Sequence, residues 1–176
     1  MIQEVVGTQL GHYFLPAFAG VAFSTNEFRW SPRLKREDGL LRLVPGLGTR
    51  AVDRVADDYP VLLSPGQPGL RANVTPHEVI RYSPKRVDVI NLDANRFATV
   101  MVDDLLRSYG SQYPLFRRVF SACDRDGMRP VGGLDWDGST DNLVVTFEGL
   151  ATSTPFLGQM RALLRLLRER IGVPVD

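Results

Sequence analysis

The chain has 176 residues, 44% hydrophobic and 23% charged, with 21 Lys and Arg against 20 Asp and Glu. That length supports one core-forming domain, and charge so evenly balanced offers no pull toward nucleic acid. A single cysteine excludes an internal disulfide, and no apolar run approaches the roughly 20 residues that span a bilayer.

The N-terminus lacks the basic region of a secretion signal, so a cytoplasmic protein with no membrane partner is the expectation. Residues 2–7 read as a short strand and residues 20–24 as another, entered through Pro16 and Gly20. A polar connection over 25–39 carries Arg29, Arg33, Lys35 and Arg36. Residues 40–44 predict a strand that runs into Pro45 and Gly46, and a short helix follows over 49–56. Residues 61–74, rich in Pro and Gly, read as loop. Thr75-Pro76-His77-Glu78 has the form of a capped helix start, and Ser83-Pro84 ends that helix. Strands are expected at 87–92, 97–100, 115–120 and 143–147, with a short helix over 103–109.

The most regular element comes last. From Thr154-Pro155, Phe156, Met160, Leu163, Leu164, Leu167 and Ile171 recur at three- and four-residue steps, and Gly172 closes the helix. Its arginines, Arg161, Arg165, Arg168 and Arg170, read as a solvated face, with a phosphate-binding face as the alternative. Short strands and helices without a βαβ rhythm make the fold class α+β.

Gly46-Leu47-Gly48-Thr49-Arg50-Ala51 matches the loose G-x-G-x-x-A dinucleotide pattern. A Rossmann turn opens a helix of several turns, whereas here Pro60 arrives after about two. A glycine turn whose amides approach a nucleotide or a neighbouring loop is the better reading. Asp135-Trp136-Asp137-Gly138 with Asp141 lacks the closing Glu of an EF-hand and reads as a hairpin turn. His12 and His77 are isolated from each other and from Cys123, which reads as a small buried hydrophobe.

Taken in order, three segments resemble the ATP-binding domain of the phosphoenolpyruvate synthase / pyruvate phosphate dikinase family. They are Ile2-Gln3-Glu4-Val5-Val6-Gly7, Gly20-Val21-Ala22-Phe23-Ser24-Thr25-Asn26, and Leu43-Val44-Pro45-Gly46-Leu47-Gly48-Thr49-Arg50-Ala51-Val52. The family carries a Val-Gln-x-Met-Val strand, a Ser-Gly-Val-x-Phe-Thr strand and a Gly-Leu-Gly-Glu turn in that order.

The resemblance implies an ATP-grasp-like fold, of which this chain is mainly the C-terminal lobe. Residues 1–176 would be a single partial domain that begins at the hinge strand and ends where the metal-binding strand starts. It further implies that the backbone of Gln3, Glu4, Val5 and Val6 meets the adenine edge, that Gly46 and Gly48 approach the nucleotide, and that Asp176 opens the magnesium-binding strand. ATP and Mg2+ are the cofactors so implied for the full-length parent. Its partners would be an adenine nucleotide, the other ATP-grasp lobe, and a swivelling domain whose histidine carries phosphate from ATP to pyruvate or a similar acceptor. Thr49 stands where the family has Glu, and Val175-Asp176 is not followed here by the family's Ile-Glu and Leu-Gln-x-Arg. Both ends of the chain read as interior sequence. The 176 residues alone are therefore expected to have no phosphotransferase activity. A non-catalytic nucleotide-binding or interaction module of the same fold is the alternative.

Overall fold

The computed structural model describes residues 4–52, 58–124, 127–132 and 142–176. Among the described residues, ten strands form three antiparallel sheets. The first holds, in spatial order, β1 (Thr8–Leu10), β2 (Tyr13–Leu15), β6 (Arg86–Asn91) and β7 (Arg96–Met101). The second holds β3 (Phe18–Phe23), β4 (Leu40–Pro45) and β5 (Val61–Leu63). The third holds β10 (Leu143–Val145), β8 (Phe120–Asp124) and β9 (Gly127–Pro130). Six α-helices among the described residues accompany them: α1 (Thr49–Val52), α2 (Pro76–Tyr82), α3 (Val102–Tyr109), α4 (Phe116–Val119), α5 (Glu148–Thr152) and α6 (Phe156–Ile171). The class is α+β, and no described helix is long and apolar enough to cross a membrane.

One hydrophobic core serves all three sheets. Leu15, Val87 and Val89 come from the first, Leu41, Leu43 and Leu63 from the second, and Phe120, Leu143 and Val145 from the third. Leu105 and Leu106 of α3 join them, as do Leu157 and Leu164 of α6. Complete burial of such a side chain contributes roughly 1.5–3 kcal/mol, an upper figure because unfolded chains are already partly compact. The central strand β4 is apolar on both faces because both are covered. Leu41 and Leu43 face the common core, while Leu40 and Val44 are buried on the opposite side, where α1 packs.

Several boundaries differ from expectation. No strand forms over residues 4–7; pairing starts one residue later at Thr8, opposite Leu15. The reason lies at Gly7, where a Cβ would come within 2.7 Å of the Phe14 ring and 2.9 Å of the Leu15 backbone, so the chain there is packed rather than laddered. The segment 61–74 is not all loop: Val61–Leu63 pairs with Leu41–Leu43 as β5. The expected strand over 115–120 is instead a helical turn. Leu115 takes a left-handed conformation and Phe116 and Val119, three apart, are buried together. The strand begins only at Phe120. The hairpin partner β2 and the short α5 went unforeseen.

Helix α2 starts as expected. Thr75 Oγ1 accepts from Glu78 N at 3.3 Å and Glu78 Oε2 accepts from Thr75 N at 3.0 Å, a complete capping box. Glu78, so hydrogen-bonded to the Thr75 and Val74 amides, is held below the usual carboxylate range. Helix α6 ends at Gly172 in the left-handed conformation. Cys123 is buried, as its reading required. The acidic stretch Asp135-Trp136-Asp137-Gly138 with Asp141 lies outside the described residues.

Candidate functional site

The glycine turn after β4 is tightly constrained. Gly46 has φ +68°, and a Cβ there would lie 2.4 Å from both the Asp88 carbonyl oxygen and Val87 Cγ2. Only glycine tolerates that approach. The closeness lets β4 continue into a parallel bridge with β6 at Asp88, where Leu47 N donates to Asp88 O at 2.9 Å. Gly46 N donates to the Tyr113 hydroxyl at 3.2 Å, and that hydroxyl donates to Ala17 O at 2.7 Å. The amide of Gly46 is thus already spent. Gly48 is half-buried against Ala19, and its own N–H has no protein acceptor among the described residues.

Behind the turn sits a buried charged network centred on Asp88. Its carboxylate accepts from Thr49 Oγ1 at 2.5 Å, Thr99 Oγ1 at 2.6 Å and Arg50 Nε at 3.0 Å. Arg50 Nη1 meets Asp58 Oδ2 at 3.0 Å, and Asp58 Oδ1 accepts from Lys85 N at 2.6 Å. Both carboxylates are 3% exposed and the arginine 15%. Burying charge is tolerated only with such pairing. Nearby, burial pulls the Lys85 ammonium below the usual lysine value, against the attraction of Asp103 and Asp58. The consequence for function is direct: Arg50, the cation on the turn, is turned inward and engaged by two carboxylates.

Burial pushes the Tyr113 phenol well above its ordinary value, and only the Gly46 amide works the other way. The folded state therefore keeps its proton where the unfolded chain would release it, near pH 10. Stability from this group is complete below about pH 10 and falls as pH rises above it. Chemical denaturation between pH 8 and 11 is expected to show that loss. Tyr113→Phe is expected to remove the part of the slope due to this residue while costing about 1–3 kcal/mol at neutral pH, since Ala17 O and Gly46 N lose their partner.

Of the residues expected at the nucleotide, Gln3 lies outside the described residues. Glu4, Val5 and Val6 are exposed and form no strand, which corrects the expected ladder over 2–7. Among the described residues their backbone groups make no hydrogen bond. They lead straight into β1, the edge strand of the first sheet, and Gly46 bridges to β6 of that same sheet at Asp88. Asp176 belongs elsewhere. Its neighbour Val175 accepts from Ser24 N at 2.8 Å and donates to Ser24 Oγ at 2.9 Å, beside the end of β3 in the second sheet. Asp176 itself is exposed, and no group of three His, Cys, Asp or Glu able to hold a metal occurs among the described residues. The network residues Asp58, Asp88 and Thr99 were missed by sequence reasoning. The available signal was Asp88, a lone carboxylate within the apolar run Val87-Asp88-Val89-Ile90.

Residues 1–113 match the family described as pyruvate phosphate dikinase, AMP/ATP-binding domain. The chain belongs to that family. The match includes all three segments that carried the resemblance, and it ends at Tyr113, the residue that clasps the glycine turn. As a member of the pyruvate phosphate dikinase AMP/ATP-binding family the chain has an ATP-grasp-like fold and is an adenine-nucleotide-binding domain. No curated protein and no solved structure matches it.

The site residues fit an adenine ring better than they fit a metal. An adenine edge asks for one donor and one acceptor at backbone spacing, and the uncommitted backbone of Glu4–Val6 offers both. Val5 and Val6 add apolar surface, Val6 being 82% exposed. For Mg2+, Asp176 supplies one carboxylate, a number that suffices only where phosphate oxygens and water complete the octahedron.

Proposed function

We propose that the chain holds the adenine of ATP or AMP against the backbone of residues 3–6. The phosphates would run toward the glycine turn at Gly46 and Gly48; Asp176, whose neighbour Val175 pairs with Ser24 at the opposite end of the β3–β4 pair, would take no part in holding them. The observation that carries this reading is the family match over residues 1–113, and the unpaired backbone of Glu4, Val5 and Val6 supports it.

In this reading the parent is a phosphoenolpyruvate synthase / pyruvate phosphate dikinase-like phosphotransferase. Its phosphoryl group passes from ATP to a histidine of a swivelling domain and then to pyruvate or a similar acceptor. This chain binds without transferring. Phosphoryl transfer depends on charge neutralisation around the transferred group, and Arg50, the cation on the turn, is engaged by Asp58 and Asp88. That same pairing favours a second reading, in which the chain serves as a non-catalytic nucleotide-binding module.

Thermal unfolding with ATP, ADP, AMP, NAD and GTP tests the proposal. At a concentration about 100 times Kd a ligand stabilises by about 2.7 kcal/mol, or roughly 5–10 °C for a domain of this size. The adenine nucleotides are expected to give that shift, enlarged for ATP by magnesium, and GTP is not. A shift with NAD but not AMP, or none with any adenine nucleotide at millimolar concentration, overturns it. Transfer of phosphate from ATP to a histidine by this chain would overturn the non-transferring part alone.

A further inference from the structure

Strand β7 ends the first sheet in an edge that no other strand pairs among the described residues. Val102 N donates to Lys85 O at 2.8 Å, one step beyond the Arg86–Met101 register pair. Antiparallel ladders alternate, so Arg96, Ala98 and Val100 turn their backbone groups toward β6, and Phe97, Thr99 and Met101 turn theirs outward. The outward N–H groups, and the carbonyls of Phe97 and Thr99, have no partner among the described residues. Edge strands are commonly blunted by proline, a central lysine or a bulge. The run Arg-Phe-Ala-Thr-Val-Met contains neither residue, and its register with β6 is unbroken. Phe97 and Met101 are 53% and 41% exposed beside this edge.

The edge is complementary to itself. Laid antiparallel against a second copy with Thr99 opposite Thr99, it sets Phe97 opposite the other copy's Met101 on both sides of a two-fold axis, as an isologous interface requires. Each outward N–H then faces a carbonyl, and the phenyl–thioether pairs are favourable cross-strand contacts. On the other face of the sheet Ala98 meets Val100. Charge agrees with this register. Arg96 forms no ion pair among the described residues, and it falls opposite the other copy's Val102, beside Asp103 and Asp104. A cavity of about 360 Å³ lies there between β7 and α3, and Asp104 is the one carboxylate on its wall. Ala98 and Val100 pack toward the core together with Leu105 of α3. Arg96 shares their face of the strand, so in the paired copy it projects toward that cavity.

We propose that two copies of the chain pair antiparallel through β7, joining two four-stranded sheets into one continuous sheet. Phe97 and Met101 pack across the seam, and each Arg96 meets Asp103 and Asp104 of the other copy. The self-complementary register decides for a second copy over an unrelated strand. It opposes no like charges among the paired residues, and it gives the unpaired arginine two carboxylates.

The test is analytical ultracentrifugation of the full chain over a concentration series, with amide hydrogen exchange at the same concentrations. The chain is expected to dimerise reversibly, and the amides of Phe97 and Thr99 to exchange more slowly as dimer forms. Phe97→Lys and Met101→Glu are each expected to weaken the dimer at least about tenfold, with circular dichroism unchanged because both side chains are exposed. The double variant is expected to recover it, since each lysine then faces a glutamate, and to lose that recovery with added salt. The proposal is overturned if the chain stays monomeric up to about 0.1 mM, or if the folded double variant fails to recover the dimer. It is equally overturned by a dimer that survives Phe97→Lys but is lost with Leu167→Ser on the exposed side of α6. A monomer whose Phe97 and Thr99 amides are protected only by an added extended peptide would assign the edge to a partner's strand, and would also overturn it. None of these outcomes depends on nucleotide binding.

Discussion

Replacing Arg50 by methionine is expected to destabilise the domain by about 3–5 kcal/mol, the cost of leaving buried charge without its partner. The substitution keeps most of the side-chain volume, so packing loss is a small part of the effect. What it removes is the cation that pairs with both Asp58 and Asp88, whose carboxylates are 3% exposed. Asp88 retains Thr49 and Thr99 as donors and Asp58 retains Lys85 N, but hydroxyls and an amide do not neutralise two negative charges. Urea denaturation monitored by tryptophan fluorescence reads the change. A loss below about 1 kcal/mol, the level of an exposed pair, would show that the network is solvated in solution.

Gly46→Ala should be comparably severe for a steric reason. The new Cβ would sit 2.4 Å from the Asp88 carbonyl oxygen and from Val87 Cγ2, in a backbone conformation at φ +68°. The left-handed conformation costs an L-residue about 1–2 kcal/mol, and forcing an atom into a packed site typically adds about 1–3 kcal/mol. A total near 2–5 kcal/mol is expected, with loss of the Leu47–Asp88 hydrogen bond visible as faster amide exchange at Leu47. Gly48→Ala separates the two glycines of the motif. Its Cβ would meet only Ala19 Cβ, at 3.2 Å, so a few tenths of an ångström of adjustment suffices and stability should change little. If Gly46→Ala is as stable as the parent, the close approach of the turn to β6 is wrong.

These two residues mark the limit of what the sequence reveals. Elements with a local signature were legible: the capping box at Thr75 and Glu78, the three- and four-residue spacing of α6 with its closing Gly172, and the apolar run of β4. Segments whose state depends on distant partners were not. Leu115 to Phe120 is apolar enough for a strand, but the joint burial of Phe116 and Val119 turns it into a helical turn. Val61–Leu63 looks like part of a Pro- and Gly-rich loop until Leu41 and Leu43 are there to pair with it.

The candidate site divides the same way. Gly46 and Gly48 stood out as glycines after a strand, and Val5 and Val6 stood out through their place in a known order of motifs. The Asp88 network did not, since Thr49 and Arg50 reach Asp88 and Thr99 across about 40 and 50 residues of chain. Periodicity carries no signal over that distance. The inward turn of Arg50 is the structural fact with most bearing on function, because a basic residue on a glycine turn otherwise reads as a phosphate ligand.

The central claim is that an adenine nucleotide binds at the backbone of residues 3–6 with its phosphates toward Gly48. The most direct measurement is an amide NMR titration of the isotopically labelled chain with AMP. The account predicts saturable shifts centred on Glu4, Val5, Val6 and Gly48, with little change at Gly46, whose amide already donates to Tyr113. Saturable shifts that leave residues 4–6 untouched and gather elsewhere, or no shifts at millimolar AMP, would contradict it.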